Sequence, residues 1–206
     1  MNKIKAVIFD MDGVLIDAKE WHYESLNRAL GDFGFKAISH DEHLARFDGL
    51  STDQKLEMLN IDLNLREKIN NAKQDYTWEI AKRELSPLSY HVELMQKLQQ
   101  EGYKMALCSN SIRKTVDLFV SKAGLDGYME FMLSNEDVKN KKPHPDIYIK
   151  AINDLGFKPQ ECLVVEDNIN GIKAAKASGA HVLEVQLLTD VNYKNIKNKI
   201  SQIENS

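Results

Sequence analysis

The chain has 206 residues, room for one large domain or for a core carrying a modest insertion. Its formal net charge of −4 leaves no basic excess to displace counterions from a phosphate backbone, which argues against nucleic acid as a partner. No apolar run approaches the roughly 20 residues of a membrane span, and Met1-Asn2-Lys3 leads straight into a strand-like segment, so a cytoplasmic chain that does not engage membranes is expected.

The first strand-like run, Ala6–Phe9, is followed at once by Asp10, Asp12 and Gly13 in "FDMDGVLID". Strand signals then vanish. Leu26, Ala29 and Leu30 mark one helix, and Ser39 with Glu42 reads as a capping box opening another. Leu65, Ile69, Ala72, Tyr76 and Ile80 recur at helical spacing. A helical domain over residues 19–85 is therefore expected, inserted into a core formed by residues 1–18 and 86–206. Within the insertion, residues 47–52 read as a loop, with Gly49 as hinge and Asp48 facing a ligand when the insertion closes. His40 and His43 resemble a metal pair at i, i+3, but no third ligand accompanies them, and they read as a polar helix start.

Beyond the insertion, helices and strands alternate. Helical stripes are expected over 91–100, 112–123, 145–155 and 169–178, with Ser111 as the N-cap of the second and Pro145 in the first turn of the third. Apolar runs at 105–108, 163–165 and 182–185 read as further strands, giving four with the first. Residues 191–206 read as a terminal helix carrying Ile196, Ile200 and Ile203, and Cys108 and Cys162 read as buried free thiols. The pattern is that of an α/β protein: a doubly wound, Rossmann-like parallel sheet core with an inserted α-helical domain. Its ligand crevice is expected at the C-terminal ends of the strands.

The residues that follow the strands set the chemistry. Asp10 and Asp12 follow the first, Ser109 and Asn110 the second, Lys142 precedes the helix after "KNKK", and Glu166 and Asp167 follow "CLVV". Gathered on one sheet edge, the four carboxylates repel one another, at about 4 kcal/mol for two charges ~4 Å apart in a medium of effective dielectric ~20. A divalent cation resolves this, and an all-oxygen acidic site suits Mg²⁺ beside a substrate phosphate. Lys142 offers a point charge to phosphoryl oxygens, Ser109 and Asn110 offer hydrogen bonds, and the backbone N–H groups of the Asp12-Gly13 turn can point inward. Asp10 is then free to act as a nucleophile, with Asp12 shuttling protons. An EF-hand loop starting at Asp10 fails, because its sixth position is Leu15 where glycine is required.

In this order and spacing, "FDMDGVLID", "SNS", "KKPHPD" and "VVEDNINGI" resemble the four signature motifs of the haloacid dehalogenase superfamily, and within it the β-phosphoglucomutase-like subgroup. The helical insertion resembles its cap domain. The resemblance implies Asp10 as nucleophile and Asp12 as general acid/base, with Ser109 and Lys142 on the phosphate. It further implies Mg²⁺ held by Asp10, the Asp12 carbonyl and Asp167, with Glu166 joining or supporting that shell. The second aspartate favours phosphoryl chemistry over carbon–halogen cleavage. His22 falls where the mutase has a cap-hinge histidine, and Lys73 lies one residue out of register with a basic cap position. Thr52 stands where the mutase carries an arginine for its second phosphate. The expectation is a monomeric, Mg²⁺-dependent phosphatase acting on a small phosphorylated metabolite, a sugar or polyol phosphate. A phosphomutase is the alternative, followed by a receiver-like phosphoacceptor and a catalytically silent scaffold.

Overall fold

Short, wholly apolar runs flanked by turn residues become strands here, and the longer 3.6-period stripes become helices. In a computed structural model that describes residues 3–47 and 50–205, the chain order opens with β1 (Ala6–Phe9), α1 (Lys19–Asp32), α2 (His40–Glu42), α3 (Thr52–Met58) and α4 (Leu63–Glu84). There follow α5 (Ser89–Gln100), β2 (Lys104–Cys108), α6 (Arg113–Lys122), β3 (Phe131–Leu133), α7 (Asp146–Leu155) and β4 (Cys162–Glu166). The chain closes with α8 (Ile169–Ala177), β5 (His181–Glu184) and α9 (Tyr193–Glu204). It divides into two compact units, residues 1–17 with 86–206 and residues 18–85.

The first unit holds one parallel sheet in the order β3-β2-β1-β4-β5. β1 is central and fully buried, as expected of a run apolar on both faces. Phe9 pairs with Leu107 on one side and Val165 on the other, so the residues that follow the three strands leave the sheet side by side. On one face Ala6, Ile8, Cys108 and Val164 pack with Ile147, Tyr148, Ala151 and Ile152 of α7 and with Ala174 and Ala175 of α8. The strand order reverses at β1, the topological switch point where open α/β sheets place their ligand crevice.

In several details the structure departs from the sequence reading. β3 was not expected: it lies at the sheet edge with Phe131 and Met132 only partly buried, and its three residues are too few to leave a periodic signature. The N-cap of α6 is Ile112, not Ser111, and it makes no side-chain cap. The Ser39 cap is one-sided: its hydroxyl accepts from the Glu42 N–H at 3.2 Å, and α2 runs directly into a π-turn over His43–Phe47. Both cysteines are buried and unbridged, and burial pushes the Cys162 thiol up to about 12.

In the second unit, Leu26, Ala29, Leu30, Phe47, Leu56 and Ile69 form a separate core. Ser51 and Gln54 make a full capping box at the start of α3. His43 is a buried packing residue against the Tyr23 ring, not an exposed polar helix start. Asp48 and Gly49, read as ligand-facing residue and hinge, lie outside the described residues. Among the described residues no helix is long and apolar enough to cross a membrane.

Candidate active site

The parallel ladder carries Asp10 one step beyond Phe9, where its N–H donates to the Val165 carbonyl at 3.0 Å. Across β2, the Ser109 N–H donates to the Leu133 carbonyl at 2.9 Å. Asp10, Ser109 and Glu166 thereby emerge on one edge of the sheet.

Lys142 reaches this edge from the loop before α7, across a cis peptide bond to Pro143. Two hydrogen bonds tie its backbone to Asn110: the Lys142 N–H donates to Oδ1 at 3.1 Å, and Nδ2 donates to the Lys142 carbonyl at 3.3 Å. The Asn110 side chain, expected to bind substrate, is thus engaged in fixing the lysine. Lys142 is 5 % exposed, and its ammonium spends its three protons on Asp10 Oδ1 at 2.6 Å, Glu166 Oε1 at 2.7 Å and the Cys108 carbonyl at 2.9 Å. Burial works against this charge, but Asp10 and Glu166 outweigh it and hold the lysine above its ordinary range.

Glu166 is fully enclosed. Its Oε1 accepts from Lys142 and from the Tyr148 hydroxyl at 2.8 Å; its Oε2 accepts from the Asp167 N–H at 3.0 Å and the Asn168 N–H at 3.1 Å. Those four donors fill the roughly four lone-pair positions of a carboxylate.

Asp12 lies in the turn that follows Asp10. The Leu15 and Ile16 N–H groups fold back on the Met11 carbonyl, and Gly13 takes a φ of 86°, a conformation that favours glycine. The Gly13 N–H donates to the Ile16 carbonyl at 2.8 Å, so it is held in the turn and is not the inward-pointing donor expected from the sequence. The Ser111 hydroxyl donates to Asp12 Oδ2 at 3.1 Å, while the Ser111 N–H donates to Ser109 Oγ at 3.0 Å. Ser111, read as a helix cap, orients the second aspartate instead.

Asp10, Glu166 and Asp167 bring carboxylate oxygens within 4.8 Å of one another. Burial first, then the charges of Glu166, Asp167 and Asp12, push the Asp10 carboxyl well above its usual range, with Lys142 offsetting only part of this. One ammonium among these acids leaves negative charge in surplus, and a hard divalent cation fits the all-oxygen donor set.

The remaining sequence candidates belong to the helical unit. Lys73, buried on α4, lies 2.9 Å from Nδ1 of His22 on α1. Thr52 is the first residue of α3, and Ser51 supplies its cap. The sequence reading gave Ser111 a different role, as a helix cap, and passed over Tyr148 and Gly171. A Cβ on Gly171 would lie 1.7 Å from Glu166 Oε1, so only glycine leaves room for that carboxylate.

The family model of haloacid dehalogenase-like hydrolases matches residues 7–185. A phosphorylated carbohydrates phosphatase from Thermotoga maritima is 30% identical over 180 residues, covering 85% of this chain and 82% of that protein. The pyrophosphatase PpaX of Bacillus pumilus is 30% identical over 179 residues, covering 85% and 80%. Among solved structures, a β-phosphoglucomutase from Clostridium difficile superposes with a TM-score of 0.83 at 21% identity over 98% of this chain and 100% of that one, a likeness of fold. By sequence and by the architecture that carries its acids, this chain belongs to the haloacid dehalogenase-like hydrolases.

Proposed function

We propose that the protein is a Mg²⁺-dependent phosphatase that hydrolyses a small phosphomonoester, a sugar or polyol phosphate, through an aspartyl-phosphate (acyl phosphate) intermediate on Asp10. The observation that carries this reading is the buried Lys142 ammonium, held between Asp10 at 2.6 Å and Glu166 at 2.7 Å on an edge crowded with carboxylates. A structural ion pair needs one acid per base. A surplus of acids around one fixed cation suits a site that receives a metal and a dianion.

Asp10 Oδ attacks phosphorus, and the bond from phosphorus to the leaving oxygen breaks as the Asp12 carboxyl gives that oxygen its proton. Formation of the acyl phosphate removes the carboxylate charge of Asp10. Its bond to Lys142 weakens, and the ammonium turns a proton toward the phosphoryl oxygens. The Ser109 hydroxyl accepts from the Ser111 N–H at 3.0 Å and directs its own proton to the same group. Water then attacks phosphorus, Asp12 takes its proton, and cleavage of the bond to Asp10 restores the carboxylate and releases phosphate. Asp10, Asp167 and the Asp12 carbonyl would hold Mg²⁺, which when bound neutralises phosphoryl charge. Glu166, its acceptor positions filled, supports this shell from behind. Residues 18–85 serve as the cap domain that selects the leaving group.

The Thermotoga maritima relative, named for phosphorylated carbohydrates, supports the substrate class. Thr52 supports hydrolysis over a mutase reaction, because a bisphosphate calls for a cation at that position. The experiment is a phosphate-release screen over sugar, polyol and nucleoside monophosphates with and without Mg²⁺. Release that depends on Mg²⁺ and is abolished in Asp10→Asn is expected. Isomerisation of a hexose 1-phosphate in the presence of its bisphosphate, without phosphate release, would favour the mutase. Release undiminished in Asp10→Asn would overturn the assignment of the nucleophile.

A further inference from the structure

Tyr148 carries a polar atom where packing asks for none. It lies on the apolar stripe of α7 with Ile147, Ala151 and Ile152 and is fully buried. Phenylalanine would fill the same space without a hydroxyl to satisfy, and a buried tyrosine is tolerated only where that group finds a partner. Here the hydroxyl donates to Glu166 Oε1 at 2.8 Å, the same oxygen that receives Lys142 at 2.7 Å. The Tyr148 ring lies 4.7 Å from the Lys142 ammonium, within cation–π range. One side chain thus touches both members of the ion pair. Burial beside Glu166 and Asp10 holds the phenol well above its ordinary range, so it remains a donor.

Lys142 is delivered by a loop rather than by a helix or strand, so its aim depends on what it touches. Asn110 fixes its backbone, and Glu166 Oε1 is the anion its head group keeps once Asp10 is phosphorylated. Glu166 Oε2 is pinned by two backbone N–H groups, whereas Oε1 carries the lysine and has the Tyr148 hydroxyl as its second donor. Without that hydroxyl, Lys142 would be the only donor left on Oε1.

From this arrangement we infer that Tyr148 is a positioning residue for phosphoryl transfer, acting through Glu166 to hold the Lys142 ammonium on line with the phosphoryl group. The inference rests on the phosphatase reading above and deepens it. In Tyr148→Phe the ring remains and only the hydroxyl is lost. The expected result is a fall in kcat of about 10-fold, the scale of losing a supporting hydrogen bond behind a site ligand, with KM nearly unchanged. In a Glu166→Gln background, Tyr148→Phe should lower kcat no further, because the residue through which it acts is already altered.

A measurement independent of turnover accompanies these. The buried ammonium of Lys142, identified by its absence in Lys142→Ala, should give a protected ¹⁵Nζ resonance that shifts in Tyr148→Phe. An unchanged kcat with only a lower Tm, an undiminished 10-fold loss in the Glu166→Gln background, or an unmoved lysine resonance would each overturn the inference. Absence of phosphate release by the wild type would count against the phosphatase reading instead, while the lysine resonance still decides the role of Tyr148.

Discussion

Gly171 tests how tightly the site constrains a single residue. Within an ordinary helix, replacing glycine by alanine gains about 1 kcal/mol from backbone entropy. At Gly171 the new methyl would meet Glu166 Oε1 at 1.7 Å and Cδ at 2.0 Å. That carboxylate has nowhere to go, since four donors hold it and it is 1 % exposed. Gly171→Ala should therefore destabilise the protein by about 1–3 kcal/mol, the usual cost of overpacking, and should lower phosphate release by moving the lysine's anchor. Gly31 on α1 has nothing within 4 Å of its would-be Cβ. Gly31→Ala should stabilise by roughly 0.5–1 kcal/mol. Denaturant melts of the two variants give opposite signs if the clash is real; two gains would show that Glu166 relocates freely. The acids and Ser109 are legible in the sequence because they follow strand-like runs, and Lys142 because it precedes a helical stripe opened by Pro145, all in a recognisable order. Tyr148 and Gly171 are not. Tyr148 looks like one more position on an apolar stripe, and a glycine inside a helix looks like a weak spot, until the carboxylate that both touch is placed between them.

Elements were legible in proportion to their burial and length. β1, β2 and β4 are continuous apolar runs because both faces of the central sheet are covered, and α7 begins and ends where Pro145 and Gly156 punctuate the stripe. β3 escaped notice because three residues at a sheet edge need no alternation to pack. Helix starts were less legible, since several polar residues compete for one cap. At α8 the competitors are Glu166, Asp167 and Asn168, and the structure gives the cap to Asn168, whose Oδ1 accepts from the Asn170 N–H at 2.9 Å. The carboxylates of Glu166 and Asp167 thereby stay with the site while the asparagine closes the helix. Asn168→Ala should cost about 1 kcal/mol, as loss of an N-cap usually does, and lower Tm by roughly 2–4 °C in a chain of this size. A melt indistinguishable from wild type would mean that the start of α8 is held by other contacts.

At the scale of the whole molecule, two buried titratable groups pull stability in opposite directions with pH. Burial holds His91 below its usual value near 6.5, although the Leu188 and Leu15 carbonyls favour its charged form. The unfolded chain accepts that proton more readily than the folded one, so this contribution is full above pH ~6.5 and is lost as the pH falls below it. His91→Gln should flatten the decline of Tm between pH 7 and 5. Asp10 has the reverse sign: its folded carboxyl is raised by burial and by Glu166, so the metal-free protein gains from its protonation and loses that gain as the pH rises. At neutral pH without metal, the negative charge on Asp10 is therefore a burden on the fold. Asp10→Asn removes the charge while keeping an acceptor for Lys142, and in EDTA it should melt above the wild type. The proposed Mg²⁺ would act on the same surplus, so at about 100-fold excess over its Kd it should stabilise the wild type by about 2.7 kcal/mol and Asp10→Asn by much less. Thermal melts of both proteins in EDTA and in Mg²⁺ check the pair of expectations together. An Asp10→Asn variant that melts below the wild type in EDTA would mean that its bond to Lys142 outweighs the repulsion among the acids. The site would then be a structural ion pair rather than one poised to receive a cation.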